Sequence, residues 1–312
     1  MQNQSISIIG AGLSGLLASS HFPDSIIYEK SSKGDIKPHR ALLRFRTSDI
    51  GDHLGIPFKK VTVHKGIWSK GGFKEPNIKL CNQYSTKVAN TIDDRSIWNM
   101  ETCTRFIAPE NFHEILLERY NDRIHYEFDF EQERSGLNED KLISTMPMHK
   151  MISCLQHMKA DEFKMFKSEK IRIIRYRVKR CDVYQTVYFP DYNNSIYRAS
   201  LTGNMLIIEM INNDISSSVG AATSEAIAAF GIKYSDQVEF LDETIQENGK
   251  FAPIDDEFRK HCIYLLTRDY GVFSLGRYAI WKNVMLDDIW KDIKVIKQLI
   301  WKNNYDLSKK NL

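Results

Sequence analysis

The first residues of the chain that could do chemistry are three closely spaced glycines after a short apolar run. Ile6, Ile8 and Ile9 read as a β-strand, and Gly10-Ala11-Gly12-Leu13-Ser14-Gly15 follows at once. In a strand–turn–helix unit the first glycine permits the tight turn, the second lets a pyrophosphate approach the backbone, and the third allows close helix–strand packing. The helix N-terminus adds free N–H groups and a positive dipole end. The run therefore predicts a diphosphate-binding turn.

A carboxylate stands where a nucleotide-binding unit of this kind requires one. Ser25 to Tyr28 read as a second strand, and Glu29 ends it, followed by Lys30. At that place a carboxylate accepts hydrogen bonds from an adenosine ribose and disfavours a 2′-phosphate, so NADP is the less favoured dinucleotide. Residues 5–29 therefore predict a Rossmann unit for the adenosine diphosphate part of a dinucleotide, with Glu29 and Lys30 in the site.

A second group of residues near the C-terminus combines a strand, a turn and charged side chains. Val272 to Leu275 read as a short strand, Gly276-Arg277 as the turn after it, and Asp287-Asp288 as the start of an amphipathic helix over 287–301. Arg277 could clamp a pyrophosphate with paired donors, or it could form an ordinary surface ion pair. Asp287 or Asp288 is expected to cap the helix.

A basic strand is the third candidate. In residues 171–180, strict alternation places Arg175, Arg177 and Lys179 on one face, and Arg172 and Arg180 on the other. One interpretation is a solvated edge strand that its charges protect from aggregation. The other is a face that attracts phosphate, from a nucleotide or from nucleic acid. Glu209, at the end of an apolar strand, is a weaker substrate-binding candidate.

The histidine and cysteine spacings argue against a metal site. The histidines show no HxH or HExxH spacing, and the five cysteines contain no CxxC pair. Reduced thiols in a cytoplasmic protein are the expectation. His64 lies in Val63-His64-Lys65-Gly66, where a Gly-flanked loop could carry it into a pocket as an acid or base, although a surface histidine is the simpler interpretation.

The remaining patterns predict the elements that would position these residues. Residues 41–55 show helical spacing that Gly55 stops, 66–95 read as loops and short strands, and 109–120 as a helix. A strand over 141–145 enters Pro147. Apolar runs within 171–210, with a turn at Gly203-Asn204, predict an antiparallel meander, and a helix follows over 218–230.

This order predicts an α/β fold: a Rossmann-type domain interrupted by an inserted antiparallel β-sheet substrate domain. The first domain is expected to comprise residues 1–60, 135–155 and 265–312, and the inserted one 61–134 and 156–264. The 312 residues are 42% hydrophobic and 27% charged, which is ordinary for a soluble globular protein. A net charge of +3 does not by itself imply a nucleic-acid or membrane partner, and no apolar run is long enough to span a membrane.

Three segments in this order resemble the superfamily of UDP-galactopyranose mutases and flavin amine oxidases. They are residues 5–29, Leu142-Ile143-Ser144-Thr145-Met146-Pro147, and Ser274 to Tyr278 with Asp287-Asp288. The resemblance implies FAD, with NAD as the less favoured cofactor, and a two-domain fold with a substrate pocket at the isoalloxazine. It also implies flavin contacts from Gly10, Gly12, Gly15, Glu29, Pro147, Gly276, Arg277 and Asp288.

The chain also departs from that family. It is shorter than a typical mutase, and neither the mutase's His-rich flavin loop nor its paired phosphate-binding arginines can be identified. The segment from His39 to Gly55 instead resembles the helix after the second strand in flavin monooxygenases, which implies that Arg40 approaches the FAD.

The predicted function is that of an FAD-dependent oxidoreductase that accepts hydride from a small amine- or alcohol-type substrate, and a nucleotide-linked substrate stays open. Three alternatives stay open: a mutase-like flavoenzyme that isomerises a sugar nucleotide without net redox, a phage-type flavoenzyme that modifies a nucleotide or a DNA base, and a non-enzymatic dinucleotide-binding protein. A need for reductant before turnover would distinguish the mutase-like enzyme.

Overall fold

The computed structural model describes residues 6–92, 96–137, 141–155, 162–211, 219–233 and 237–310, and only the backbone of residues 301–310. The strands in chain order are β1 (Ser7–Ile9), β2 (Ile26–Tyr28), β3 (Arg44–Phe45), β4 (Lys59–Ser69), β5 (Gly72–Lys74), β6 (Cys103–Ile107), β7 (Ile124–His125), β8 (Leu142–Ser144), β9 (Ser168–Val178), β10 (Val183–Tyr188), β11 (Ile196–Gly203), β12 (Met205–Ile211), β13 (Val238–Phe251) and β14 (Val272–Ser274).

The α-helices in chain order are α1 (Leu13–Ser19), α2 (Asp49–Leu54), α3 (Ile78–Ala89), α4 (Phe112–Arg119), α5 (Phe130–Glu133), α6 (Met148–Cys154), α7 (Val219–Ala229), α8 (Asp256–Tyr270) and α9 (Leu286–Lys310). None of these described helices has the length and apolar character that crossing a membrane requires.

A five-stranded parallel sheet forms the first layer, in the order β14-β8-β1-β2-β7. Apolar residues cover both of its faces: Ile8 packs with α1, α4 and α9, whereas Ile9 packs on the other side with α6 and α8. Two buried faces are typical of parallel sheets. The chain runs from β1 to β2 on one side and returns to β8 on the other, so the order reverses beside β1, where ligands bind in open α/β sheets.

A second, curled and mostly antiparallel sheet forms the other layer, in the order β13-β9-β12-β11-β10-β4-β6-β3, with β5 added to β4. One of its faces packs on α7 through Ile174, Ile208 and neighbouring residues. The opposite face packs on α3 through Ile173, Ile207 and Tyr197. The predicted fold class, a Rossmann-type layer with an inserted sheet, is confirmed; the pairing of β4 with β10 is parallel, so the inserted sheet is mixed.

The meander predicted for residues 171–210 is right in its elements and wrong in one pairing. Strands β10, β11 and β12 form consecutive antiparallel pairs, but β9 lies beside β12 and not beside β10, which makes a Greek key. The basic strand β9 is also an interior strand, because β13 pairs along its other side. β13 and α8 lie in residues 238–270, for which the sequence patterns predicted no element.

Two segments differ from their predicted elements. The helical spacing over 41–55 holds only for α2, because Arg44 and Phe45 pair with β6 instead. Residues 66–95 contain α3, whose buried face carries Leu80, Tyr84 and Val88 among polar neighbours. The Asn77 side chain caps α3 by accepting the Leu80 N–H at 3.1 Å.

The boundary of the inserted layer also falls elsewhere than predicted. β7 extends the parallel sheet, and α4 packs against α1 through Phe112 and Leu116, so residues 112–125 belong to the first layer. The final helix is longer than predicted. Its residues Ile289, Ile293 and Ile296 belong to the same apolar cluster as the residues of the parallel sheet.

Candidate functional site

The Gly-rich turn after β1 has backbone geometry that requires glycine at two of its three positions. Gly10 has φ +98°, and a Cβ there would lie 2.3 Å from Thr145 Oγ1. A Cβ at Gly15 would lie 2.0 Å from the Gly10 carbonyl oxygen, so α1 can pack on β1 only through glycine. Both positions therefore fix the shape of the turn.

Gly12 has a different role, because its own space is open. No described atom lies within 4 Å of a Cβ built at Gly12, and its φ of −71° suits any residue. Gly12 is the N-cap of α1, and no side chain of the described residues caps that helix. The first N–H groups of the helix, with the positive end of its dipole, therefore face open space at Gly12, as a diphosphate site requires.

Glu29 lies at the end of β2 and reaches back to the Gly-rich turn. Its Oε2 accepts the Ala11 N–H at 2.8 Å, and its Oε1 accepts the Ser31 N–H at 2.9 Å. A carboxylate offers about four acceptor positions, so two remain for hydroxyl donors. Lys30 lies beside it, exposed and paired with Asp129 at 2.9 Å.

The three sequence segments of the predicted site meet at one edge of the parallel sheet. The Leu275 N–H donates to the Ser144 carbonyl at 2.9 Å, which continues the pairing of β14 and β8. A Cβ at Gly276, which has φ +94°, would lie 2.6 Å from Ser14 Oγ, so this turn contacts the first turn of α1. Pro147 follows β8 at the N-cap of α6.

The start of α9 carries one capping carboxylate and one buried carboxylate. Asp288 Oδ2 accepts the Met285 N–H at 3.0 Å, which confirms a cap, and its other oxygen pairs with Arg46 at 2.7 Å. Asp287 is 7% exposed, and its Oδ1 accepts the Arg46 N–H at 2.9 Å. Asp287 Oδ2 is buried without a hydrogen-bond partner among the described residues.

His113 of α4 forms a hydrogen bond with the Gly-rich turn. Its Nδ1 accepts the His39 backbone N–H at 3.3 Å, which leaves Nε2 protonated and able to donate to the Ala11 carbonyl at 3.3 Å. This is a neutral imidazole with both ring nitrogens bonded. Burial lowers the pKa of His113, in agreement with that state.

His39 and His21 predict that the fold is sensitive to acid. Burial, and then the neighbouring His113, lowers the pKa of His39 to about 4, and burial similarly lowers the pKa of His21 to about 4. The unfolded chain takes up these protons near pH 6.5, whereas the folded chain does not until about pH 4. Stability should therefore be complete above about pH 6.5 and should fall toward pH 4, by at most about 1.4 kcal/mol per pH unit for each group.

Urea unfolding midpoints measured between pH 7.5 and 4 would test this dependence. A His39→Gln variant should show a shallower fall than the parent, whereas His125→Gln, at an exposed position, should keep the parent's slope. A parent protein with a flat profile over this interval would contradict the proposed neutral state.

The inserted sheet presents a buried ion pair toward the first layer. Glu209 of β12 is 1% exposed, and both of its oxygens accept from Arg198 of β11, with Nη2 to Oε1 at 2.7 Å. Tyr197 also donates to Glu209, at 3.1 Å. The adjacent residues Tyr197 and Arg198 reach the same carboxylate because the register of β11 shifts between Ile196 and Arg198. Such irregularities often re-aim side chains beside functional sites.

Arg277 connects the two layers. Its Nη2 donates to the Gly249 carbonyl at 2.8 Å and to Tyr278 Oη at 2.7 Å, and its guanidinium lies 4.6 Å from the centre of the Tyr278 ring. In this arrangement Arg277 is hydrogen-bonded to the end of β13. Its role as a pyrophosphate clamp stays a prediction.

Two further predicted arginines belong to an ion-pair network between the layers. Arg40 pairs with Glu114 at 2.8 Å and with Asp242 at 3.5 Å. Arg175 also pairs with Asp242, and with Glu110 at 3.1 Å. Arg175 is thus buried and neutralised, which corrects the interpretation of β9 as a solvated edge strand. The contact between Arg40 and FAD stays a prediction.

His64 and Arg177 lie away from these clusters. His64 is an exposed residue of β4 and not part of a loop. It pairs with Gln185, whereas Thr186 and Tyr188 face the first layer, so alternation directs His64 to the opposite side of the sheet. The predicted loop is therefore wrong, and the geometry gives no support for His64 as an acid or base. Arg177 is an exposed residue near the end of β9.

The sequence reasoning missed the residues that depend on pairing between distant segments. Arg198 and Glu209 meet only because β11 and β12 pair, and Arg44 of β3 reaches the carbonyls of Gln185 and Leu201 across the same sheet. For His113 the sequence did hold a signal. It shares a helix face with Leu116, and a histidine on the apolar face of a helix is expected to be buried.

Comparison with solved structures gives similar folds over nearly the whole chain. A reduced UDP-galactopyranose mutase has a TM-score of 0.64 at 14% identity, covering 96% of this chain and 94% of that one. An oxidoreductase from Methanosarcina mazei has a TM-score of 0.60 at 11% identity, covering 94% and 100%. The CLA-producing fatty acid isomerase from P. acnes has a TM-score of 0.59 at 12% identity, covering 97% and 99%.

The comparisons with protein-family models and with curated proteins returned no match. The likeness is therefore one of fold, and it extends across both layers. The three sequence segments that resemble UDP-galactopyranose mutases and flavin amine oxidases also meet at one edge of the parallel sheet. The chain has the fold of a UDP-galactopyranose mutase over nearly its whole length.

Proposed function

We propose that the chain is an FAD-dependent oxidoreductase that acts on a small amine- or alcohol-type substrate. The observation that carries the proposal is the contact between Glu29 and the Gly-rich turn, where the carboxylate accepts the Ala11 N–H at 2.8 Å. This arrangement brings a ribose acceptor and a diphosphate-binding turn side by side. The fold supports the same assignment.

The residues present fit FAD. Gly12 opens onto free space at the start of α1, and Glu29 keeps unused acceptor positions for ribose hydroxyls. Asp287 Oδ2 is a buried acceptor without a hydrogen-bond partner among the described residues. Such an atom is costly unless a donor reaches it. Gly10, Gly12, Glu29, Gly276 and Asp287 would hold the cofactor.

FAD, when bound, supplies the two-electron chemistry, and the protein supplies binding and electrostatics. His113 and Thr145 hold the Gly-rich turn in shape, by a hydrogen bond to the Ala11 carbonyl and by one to the Ile9 carbonyl at 2.7 Å. NAD is the less favoured cofactor, because the segments at Pro147 and Gly276 resemble the flavin-contacting segments of UDP-galactopyranose mutases and flavin amine oxidases.

An anaerobic titration tests this function. The purified protein should show flavin absorbance that an amine or an alcohol bleaches, with reoxidation when oxygen is admitted. NADH and NADPH serve as the comparison reductants, and heat-inactivated protein serves as the control. Flavin absorbance that no amine or alcohol bleaches would contradict the oxidoreductase assignment, and a colourless protein that takes up no FAD would contradict the cofactor.

A mutase- or isomerase-type activity is the second candidate, because two of the similar folds are a UDP-galactopyranose mutase and a fatty acid isomerase. Such an enzyme rearranges its substrate without net redox. Turnover that begins only after chemical reduction and consumes no electron acceptor would favour it over the oxidase-type reaction.

A further inference from the structure

An open cavity of about 400 Å³ lies beside α7, and all of its described lining residues belong to the inserted layer. α7 packs on the face of the inserted sheet opposite to the one that packs on α3. Small-molecule sites have volumes of roughly 300–1,000 Å³, so the cavity is large enough for a small ligand. It is separate from the Gly-rich turn and from the proposed FAD site.

The loop between β10 and β11, residues 189–195, forms one wall of the cavity and is held from two sides. Toward β4, Asp191 Oδ1 accepts from the Ser69 hydroxyl at 2.8 Å, and Asp191 Oδ2 accepts the Lys70 N–H at 2.9 Å. Toward α3, Lys87 Nζ donates to the Asp191 carbonyl at 2.8 Å and to two neighbouring carbonyls. The wall is therefore preorganised, which lowers the entropy cost of binding a ligand.

α7 forms the opposite wall with Ala221, Ala222 and Glu225. Glu225 Oε1 accepts from Trp68 Nε1 at 2.5 Å, which holds the carboxylate in place. Glu225 Oε2 has no hydrogen-bond partner within the ranges that the structure describes. Because the two alanine side chains are short, they leave room for a ligand next to this carboxylate.

The polar side chains that line the cavity are a mixed set of donors and acceptors. Lys70 offers an ammonium donor, Asn193 offers an amide that donates and accepts, and Ser195 offers a hydroxyl that does both. None of these three side chains is hydrogen-bonded to another residue of the described chain. Together with Glu225, they match hydroxyl groups, because each hydroxyl can donate one hydrogen bond and accept others.

The charges around the cavity balance one another. Lys70 and Lys87 carry ammonium groups, and Asp191 and Glu225 carry carboxylates. Burial lowers the pKa of Lys87 to about 7, so this balance holds at pH 6, where the amine is protonated. A charged ligand would meet like charges at such a site, whereas an apolar ligand would leave the carboxylates and amides without partners.

We propose that this cavity binds a neutral sugar, at a second site apart from the flavin. The sugar hydroxyls pair with Asn193, Ser195 and Glu225, and the ring lies between the loop at 189–195 and α7.

Saturation-transfer NMR titrations of the purified protein at pH 6 test the inference. Glucose, galactose, mannose and N-acetylglucosamine are the neutral probes. Glucuronate, glucosamine and cyclohexanol keep the six-membered ring and add a charge or remove hydroxyls. At least one neutral sugar should bind at least about tenfold more tightly than these three. If no neutral sugar binds, or if a charged or apolar ring binds as tightly as the best sugar, the inference is wrong.

Variants then assign binding to this cavity. Ala221→Trp, at an exposed position of α7, should fill the cavity and weaken sugar binding at least about tenfold. Ala228→Trp is the matched control, because Ala228 is also exposed on α7 but does not line the cavity. It should bind like the parent.

Asn193→Ala gives a second, milder test at an exposed loop residue. The loss of its hydrogen bonds should weaken sugar binding at least about threefold and leave thermal unfolding unchanged. Parent-like sugar affinity in folded Ala221→Trp and Asn193→Ala proteins would place the sugar elsewhere and overturn the inference. Flavin content, measured on the same preparations, should be equal in all of them, because the two sites are separate.

Discussion

A Gly12→Val protein is expected to purify folded and without FAD. Its backbone φ of −71° accepts valine, and no described atom lies within 4 Å of the new Cβ, so the fold has no reason to change. The added methyl groups would instead occupy the space that the diphosphate needs at the start of α1. We expect FAD affinity to fall at least about a hundredfold, which corresponds to about 2.8 kcal/mol.

The ratio of flavin to protein absorbance measures this effect, and thermal unfolding reports the fold. Gly220→Val is the matched control, because Gly220 of α7 also opens onto free space but lies in the inserted layer. It should retain FAD at the parent's stoichiometry. A folded Gly12→Val protein that stays fully yellow would place the diphosphate elsewhere.

Glu209→Gln should strongly destabilise the inserted sheet. Glu209 is 1% exposed and accepts from Arg198 and Tyr197, so the substitution leaves a guanidinium without its countercharge. Breaking a buried pair by removing one partner costs about 3–5 kcal/mol. The free energy of unfolding, measured with urea at neutral pH, should fall by that amount.

A double-mutant cycle with Arg198→Gln gives the coupling between the two residues. The double variant should be more stable than the sum of the two single effects predicts, because it leaves no unpaired buried charge. Glu239→Gln, at an exposed position of β13, should change stability by no more than about 0.5 kcal/mol. If Glu209→Gln is as stable as this control, the pair does not hold the sheet as described.

The parts of the fold that local sequence determines were predictable. The Gly-rich turn at Gly10 follows from backbone sterics, and the final helix, predicted over 287–301, follows from its apolar spacing, so both were placed without knowledge of the rest. Helix α3 was missed because polar residues separate its buried residues Tyr84 and Val88. The segment therefore resembles a loop when only one sequence is read.

Features that depend on strand order could not be predicted in this way. The position of β9 in the sheet follows from its pairing with β12 and β13, and a local pattern of arginines does not reveal a neighbour more than sixty residues away. The same reason explains why Arg175 read as a surface cation, although its partner Asp242 neutralises it. Arg198 and Glu209 likewise meet only through tertiary structure.

The central claim is that the turn from Gly10 to Gly15 and Glu29 bind the adenosine diphosphate half of FAD. Calorimetric titration of the flavin-free protein with FAD, FMN and ADP tests it most directly, since FMN lacks the adenosine and one of the two phosphates. The account predicts one FAD per chain, competition by ADP, and binding of FMN at least about a hundredfold weaker. Equal affinity for FAD and FMN, or no competition by ADP, would contradict it.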